Sequence, residues 1–379
     1  NQAKSDILCM VNKGFFCQYE NNIGKHPIDE YTEDLLERRV KNLTLQVTRD
    51  CNFKCRYCQY ASSQAYERNH AKQYMDERVA IESLNFLYNH SCDSLVIDIG
   101  FYGGEPLLNF AIIKKAVNYS QTLFNAKKVR FNVTTNASLM TEEISDYFVQ
   151  NDFELTLSVD GPENIQNKHR RYVNNGLGTY YPVYKNLIFL KKKHSNYFKN
   201  KVKFHPVFMN DDNINEAIHF FREELEIKSD MISPVYAGLS GIEYYSADRK
   251  TIIIEDEYSR EFIKKLESGL KYSVSKLLDS FSTKYNSVPS GSCLAGYSKL
   301  FVNVEGDLYP CERVIESPET CVGNITDGFN LSATRRILNS WQCVAEECKK
   351  CWAFRLCSMC TVSSICGNNQ TENRKFKLN

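Results

Sequence analysis

The sequence predicts an α/β fold built on parallel strands, and three features carry that expectation. Short β-branched or aromatic runs alternate with longer stretches of helical period from about residue 43 to 236. Polar or glycine-rich elements follow successive runs where strands would end. The cysteines fall into two regions, one just after the first run and one near the C-terminus, with none between Cys92 and Cys293. Repeated strand, helix, strand order implies right-handed crossovers with helices outside the strands, hence a barrel or a doubly wound sheet. The units number six, fewer than a closed eight-fold barrel needs.

The expected strands are Thr44 to Thr48, Leu95 to Tyr102, Val129 to Thr135, Glu154 to Val159, Lys201 to Met209 and Met231 to Tyr236. Their residue types suit a buried pleated surface. Between them Ile81, Leu84 and Leu87, then Ile113, Ala116, Val117 and Leu123, then Ile214, Ile218, Phe221 and Leu225 recur at helical spacing. Phe262, Leu266, Leu270 and Val274 repeat that spacing in a helical bridge closed near Ser290-Gly291. Lys299 to Pro310 alternates around Glu305-Gly306-Asp307, which predicts a hairpin. Lys191-Lys192-Lys193-His194 reads as a solvated helix end favoured by the dipole. The expected organisation is an N-terminal segment at 1–42, the barrel at 43–236, the bridge at 237–290 and a cysteine-rich domain at 291–379.

Composition excludes several classes. The 379 residues are 42% hydrophobic and 25% charged with formal net charge +1, an ordinary globular balance rather than a disordered or collagen-like one. The near-zero charge argues against a protein that coats phosphate backbones, so no nucleic-acid partner is expected. No stretch reaches the roughly 18 consecutive apolar residues of a membrane span, and Asn1-Gln2-Ala3-Lys4-Ser5-Asp6 lacks the grammar of a signal peptide. A cytoplasmic protein with no membrane partner is expected. Its 15 cysteines, an odd number, then suit reduced metal-holding thiolates better than a disulfide framework.

Four successive strand ends carry polar or glycine-rich elements: Asp50 to Cys58, Gly103-Gly104-Glu105-Pro106, Asn136, and Ser158 with Asp160-Gly161. Loops leaving one edge of a parallel sheet open on one face, so these elements are expected to build one site. Cys51, Cys55 and Cys58 follow C-x3-C-x2-C, close enough to grip one metal centre. A structural zinc wants a fourth ligand, and the nearest histidine, His70, lies twelve residues beyond Cys58. A 4Fe-4S cluster held by three cysteines leaves one iron open to a substrate or cofactor. Zinc completed by a distant ligand is the plainer alternative.

These residues resemble the radical S-adenosylmethionine enzymes, whose signature is C-x3-C-x2-C with an aromatic residue before the third cysteine; Tyr57 holds that place. The resemblance implies that S-adenosylmethionine binds the open iron by its amino and carboxylate groups. It implies also that electron transfer cleaves it to a 5'-deoxyadenosyl radical. Gly103, Gly104, Glu105 and Pro106 match the family's second motif, where the backbone approaches the methionine amino group and Glu105 balances its charge. Thr135-Asn136-Ala137 is similar to the family's Thr-Asn-Gly segment, with Ala137 in place of glycine. Ser158 and, further on, Arg170 match the segment from which relatives contact the cofactor carboxylate. Without the resemblance they read as a strand-end hydroxyl and a solvated arginine.

The C-terminal cysteines run Cys293, then Cys311 beyond Gly306, and then Cys348-x2-Cys351-x5-Cys357-x2-Cys360-x5-Cys366. Paired C-x2-C motifs suggest zinc, although five residues between pairs are few for a zinc ribbon. The order resembles the SPASM extension of radical enzymes that modify peptides, which implies a partial (β/α)6 TIM barrel with a C-terminal domain holding two auxiliary 4Fe-4S clusters. By order, Cys293, Cys311 and Cys360 would hold the first, and Cys348, Cys351, Cys357 and Cys366 the second. The Cys357 to Cys360 spacing of two departs from the family's usual three. No cysteine stands between 93 and 292, so either Cys321 or Cys343 completes the first auxiliary cluster or one iron stays open to a substrate thiolate. Cys9, Cys17 and Cys92 read as ordinary cysteines.

The function these resemblances imply is anaerobic hydrogen abstraction from a ribosomally made, Cys-rich precursor peptide, ending in an intramolecular thioether crosslink. A reductant such as flavodoxin or ferredoxin is the implied partner. Formylglycine formation in a sulfatase, a carbon-carbon crosslink and a non-catalytic zinc scaffold are the alternatives. Residues 1–42 are too short for the winged-helix domain that grips leader peptides in many relatives. Glu243, Tyr244, Tyr245 and Asp248 follow the sixth strand, where an acid or base could sit; the sequence assigns none.

Overall fold

A computed structural model describes residues 24–58, 71–209, 212–236 and 299–343, together with 8, 294, 296–297 and 350. The bridge at 237–290, residues 243–248, and Cys9, Cys17, Cys293, Cys348, Cys351, Cys357, Cys360 and Cys366 lie outside the described residues. The chain divides into two compact units. One includes residues 33–236 and 299–333 and carries the sheet; the other includes 24–32 and 334–343. In the second, Asn339 accepts from the His26 amide at 2.8 Å and donates to the Asp29 carboxylate at 2.7 Å, and His26 caps the 3-10 helix Pro27–Tyr31.

The strands are β1 Asn42–Thr48, β2 Val96–Gly103, β3 Lys128–Thr135, β4 Glu154–Leu157, β5 Val202–Phe204, β6 Val207–Phe208 and β7 Val235–Tyr236, then β8 Lys299–Val302, β9 Asp307–Tyr309, β10 Gly323–Asn324 and β11 Gly328–Phe329. Nine of them form one sheet in the order β11-β10-β9-β8-β1-β2-β3-β4-β5. Pairing is parallel from β8 through β1 to β5 and antiparallel beyond β8. The helices between are α1 Glu77–Asn89, α2 Phe110–Leu123, α3 Glu142–Gln150, α4 Glu163–His169, α5 Tyr180–Lys193, α6 Ser195–Lys201 and α7 Ile214–His219. Their starts follow local chemistry: Asp76 accepts from the Val79 amide before α1, and Thr141 from the Ile144 amide before α3.

Alternation along the strands separates two faces. Leu43, Leu45 and Val47 of β1, Ile97, Ile99 and Phe101 of β2, Phe131 and Val133 of β3, and Leu155 and Leu157 of β4 are buried and form the apolar face. The other face is polar. In register across it lie Asn42, Asp98 and Arg130, then Thr44, Gly100, Asn132 and Glu154. Arg130 meets the Asp98 carboxylate with two nitrogens, at 2.5 and 2.8 Å. A sheet face lined this way is not a hydrophobic core, and it provides the surface on which a polar molecule could lie.

Strand positions one to four agree with the sequence to within one or two residues, and the last two differ. The expected Lys201 to Met209 strand is interrupted between β5 and β6, because Pro206 has no amide to donate to the ladder. β6 then pairs with β7 in a separate two-stranded sheet, and Met231 closes a 3-10 turn instead of starting a strand. The hairpin expected at 299–310 forms as β8 and β9, and β8 extends the sheet beside β1. Among the described residues no helix is long and apolar enough to cross a membrane.

Candidate active site

The cysteine loop leaves the C-terminal end of β1 and is held from one side by the segment that follows α4. Lys54 N donates to Arg171 O at 2.8 Å, Arg56 N to His169 O at 2.9 Å and Val173 N to Asn52 O at 3.0 Å. Phe53, an apolar residue in a polar loop, is 1% exposed and packs edge-on against Tyr172. Backbone pairing and one buried ring therefore position Cys51, Cys55 and Cys58.

From the other side the loop is held by the end of β2. Gly104 N donates to Thr48 O at 3.0 Å and Glu105 N to Asp50 O at 2.9 Å. A Cβ at Gly103, where φ is +143°, would lie 2.1 Å from Thr48 O, and one at Gly104 would lie 2.2 Å from Asp50 O. These glycines let two strand ends touch, so their first partner is the cysteine loop itself, before any ligand.

Glu105 is fully buried and receives three hydrogen bonds: from the Thr135 hydroxyl at 2.6 Å, the Asn136 amide at 2.8 Å and the Leu107 amide at 3.1 Å. Burial pushes its carboxyl up to about 6, against these donors. Asn136 in turn donates to Asn52 Oδ1 at 2.9 Å, which ties the end of β3 to the cysteine loop. Ala137 takes the left-handed turn, with φ +61°, that a glycine would adopt without strain. Pro106 opens the short 3-10 helix Pro106–Asn109, and Ser158 N donates to Thr135 O at 2.8 Å.

Arg170 is 5% exposed, which removes the reading of a solvated arginine. Its Nε and Nη2 donate to the two oxygens of Asp160, at 2.9 and 3.0 Å, and its Nη1 is 4.0 Å from Cys55 Sγ. The Tyr57 hydroxyl donates to Asp160, and the Arg170 guanidinium lies 5.3 Å from the centre of the Tyr57 ring. Burial opposes the Arg170 charge, but Asp160 outweighs it and holds the guanidinium protonated. Next to it His169 Nε2 faces both oxygens of Asp212 at 2.8 and 2.9 Å, while its buried Nδ1 has no hydrogen-bond partner among the described residues.

The structure thus brings together the four strand ends that the sequence singled out, with Tyr57, Gly103, Gly104, Glu105, Asn136 and Arg170 around the cysteine loop. Sequence reasoning missed Asn52, Phe53 and the His169-Asp212 pair. It noted Asp160 only as a strand end, although an acid between a strand and a glycine was the available signal. In the C-terminal region Cys311 is buried, its thiol pushed up by that burial, and the Cys321 thiol donates to Gly323 O at 3.2 Å.

The chemistry of the loop suits an iron-sulfur cluster better than a single ion. A structural zinc takes four side-chain ligands, and the loop offers three cysteines. A cluster gives each thiolate its own iron, so the sulfurs need not meet. Burial pushes the Cys51 thiol well above its usual range and the Cys55 thiol up to about 12, so thiolates here need a cation beside them. Iron would supply it, and Phe53 N already donates to Cys51 Sγ at 3.4 Å.

A parallel sheet with a three-cysteine loop at its first strand end defines a class. Residues 45–223 match the model of the Radical SAM superfamily. The chain is related to the anaerobic sulfatase maturases. It is 25% identical over 331 residues to a cysteine-type anaerobic sulfatase-maturating enzyme of Clostridium perfringens, across 81% of this chain and 84% of that one. It is 26% identical over 250 residues to the radical SAM cyclopropyl synthase TigE of Paramaledivibacter caminithermalis, across 61% of this chain and 52% of that one. The fold is shared with native anSMEcpe solved with bound AdoMet and Cp18Cys peptide, with TM-score 0.57, 23% identity, and 84% and 88% of the two chains covered.

Proposed function

We propose that this protein is a radical S-adenosylmethionine peptide maturase that abstracts a hydrogen atom from a Cys-bearing peptide and forms a thioether crosslink. One observation carries the reading: the cysteine loop is fastened to the ends of β2, β3 and β4 beside a polar sheet face. Cys51, Cys55 and Cys58 would hold a 4Fe-4S cluster with one iron open. Bound there with S-adenosylmethionine, such a cluster supplies a carbon radical able to take hydrogen from an unactivated C-H bond.

The protein's own work is placement and exclusion of water. Glu105 supplies a buried negative charge at the end of β2, suited to a cofactor ammonium, and Asn136 fixes the loop against β3. Gly103, Gly104 and Pro106 set the backbone at that edge. Tyr57, Ser158 and Arg170 complete the rim. The polar rows on β1, β2 and β3 offer hydrogen bonds to a substrate peptide. Cys311 belongs, in this reading, to a SPASM domain at 291–379 that holds two auxiliary 4Fe-4S clusters with Cys293, Cys348, Cys351, Cys357, Cys360 and Cys366. The sheet would be the partial barrel of such enzymes, and flavodoxin or ferredoxin the class of reductant.

A second reading is oxidation of a sulfatase cysteine to formylglycine, favoured by the sulfatase-maturating relatives over most of the chain. Anaerobic incubation of reconstituted protein with S-adenosylmethionine, reductant and either a Cys-rich precursor peptide or a sulfatase-derived peptide separates the two by mass. Loss of two hydrogens with a sulfur-carbon link located by fragmentation supports the crosslink. Formylglycine in the sulfatase peptide supports the second reading. Cys55→Ala should abolish 5'-deoxyadenosine release, and Cys357→Ala should keep part of it while losing peptide product. Deoxyadenosine made by Cys55→Ala at the parent rate would sink both.

A further inference from the structure

We infer that Arg170, locked in place by Asp160, sets the reduction potential of the centre at the cysteine loop through its Nη1 on Cys55. The inference rests on the proposed assignment of Cys51, Cys55 and Cys58 as cluster ligands, and it gives Arg170 a role distinct from touching the cofactor carboxylate.

Two of the three Arg170 nitrogens are committed. Nε and Nη2 carry the parallel bonds to Asp160 at 2.9 and 3.0 Å, so the carboxylate occupies one edge of the guanidinium. Nη1 lies at the opposite corner, and there it meets Cys55 Sγ at 4.0 Å. Asp160 is itself fixed from three further directions. The Tyr57 hydroxyl donates to its Oδ2, the Val207 amide to its Oδ1 at 2.9 Å, and its own amide donates to Gln166 Oε1 at 2.9 Å. A planar guanidinium held by such a fork cannot turn away, and its third corner is pinned toward the sulfur.

An N–H aimed at a cluster ligand, with a positive charge behind it, stabilises the extra electron of the reduced centre more than the oxidised one. Arg170 therefore makes the centre easier to reduce. Asp160 opposes this from the far edge, so Arg170 and Asp160 act with opposite signs. A residue that merely supported the loop would give both substitutions the same sign. Arg170 is thus a positioning and tuning residue.

The test is an anaerobic, EPR-monitored redox titration of the full reconstituted chain. The signal lost from a Cys51→Ala, Cys55→Ala, Cys58→Ala variant marks the centre in question. For that signal Arg170→Gln is expected to cut the reduction equilibrium constant about tenfold, about 59 mV toward more negative potential for one electron. Asp160→Asn, whose amide oxygen still accepts from the guanidinium and keeps Nη1 toward Cys55 while the opposing charge is gone, is expected to move it the other way. Shifts of the same sign, or no shift in either, overturn the inference while leaving the cluster assignment intact. If Arg170→Gln takes up no iron, Asp160→Asn alone decides, and an unchanged or more negative potential is the overturning result. If the triple variant loses no signal, the assignment falls and the inference with it.

Discussion

Phe53 and Tyr172 pack edge to face with 5.1 Å between ring centres, and their backbones form an antiparallel bridge. The pair fastens the middle of the cysteine loop to the chain leaving α4, on the side away from β2. Three backbone hydrogen bonds flank it, so the loop behaves as a short extra strand rather than a free excursion.

Replacing Phe53 with alanine removes a buried apolar anchor of that loop. Large-to-small changes of buried aromatics cost about 3–5 kcal/mol, and the loss here falls on the loop. Phe53→Ala should keep the circular dichroism of the sheet and helices while taking up less iron on reconstitution than the parent. Iron content equal to the parent's would show that the backbone bridge suffices.

Gly104 leaves no room for a methyl group against Asp50 O, because its ideal Cβ sits 2.2 Å from that oxygen. Gly104→Ala should force the β2 end away from the loop and break the bonds from Gly104 N and Glu105 N. Urea unfolding should report a loss of more than about 2 kcal/mol, with iron uptake falling in parallel. A variant as stable as the parent would mean that the two strand ends separate easily.

Glu105 gives a pH signature. Its carboxyl lies near 6 in the folded chain against an ordinary 4.5, the burial of the charge being the main cause. A group raised in this way favours folding fully below about pH 4.5 and loses that advantage as pH rises through about 6. Integrated over the shift, this amounts to about 2 kcal/mol. Relative to Glu105→Gln, which cannot ionise, the parent should therefore lose about that much stability between about pH 4 and about pH 7 in urea titrations. A constant difference across that range would mean that the three donors cancel the cost of burial.

Ala137 stores strain that glycine would relieve. A non-glycine residue in the left-handed region costs roughly 1–2 kcal/mol, and glycine gives back roughly 0.4–1 kcal/mol of it as unfolded-state entropy. Ala137→Gly should raise stability by on the order of 0.5 kcal/mol, seen as a higher midpoint of thermal unfolding. A lower midpoint would mean that the buried methyl group contributes more by packing than its turn costs.

How much of this was legible beforehand follows the range of the interactions. The first four strands announce themselves through β-branched and apolar runs, and the cysteine spacing names a metal loop before any coordinates. Both are local signals. The fifth strand fails at Pro206, and that failure too is local, since a missing amide can be read from sequence. The sixth shrinks to two residues because its partner, β6, is that short.

Local sequence thus determined the α/β order, the placement of polar elements at strand ends and the three-cysteine loop. Tertiary structure alone decided that Arg170 is buried against Asp160, that Gly103 and Gly104 answer to the backbone of Thr48 and Asp50, and that Asn52 meets Asn136 across 84 residues. It also decided that β8 joins the sheet beside β1, some 250 residues away in the chain. The physical reason is that helix and strand periodicity, turns and metal spacing are written within a few residues. Partner choice for a buried charge or a close backbone approach is settled only when distant segments compete for the same space.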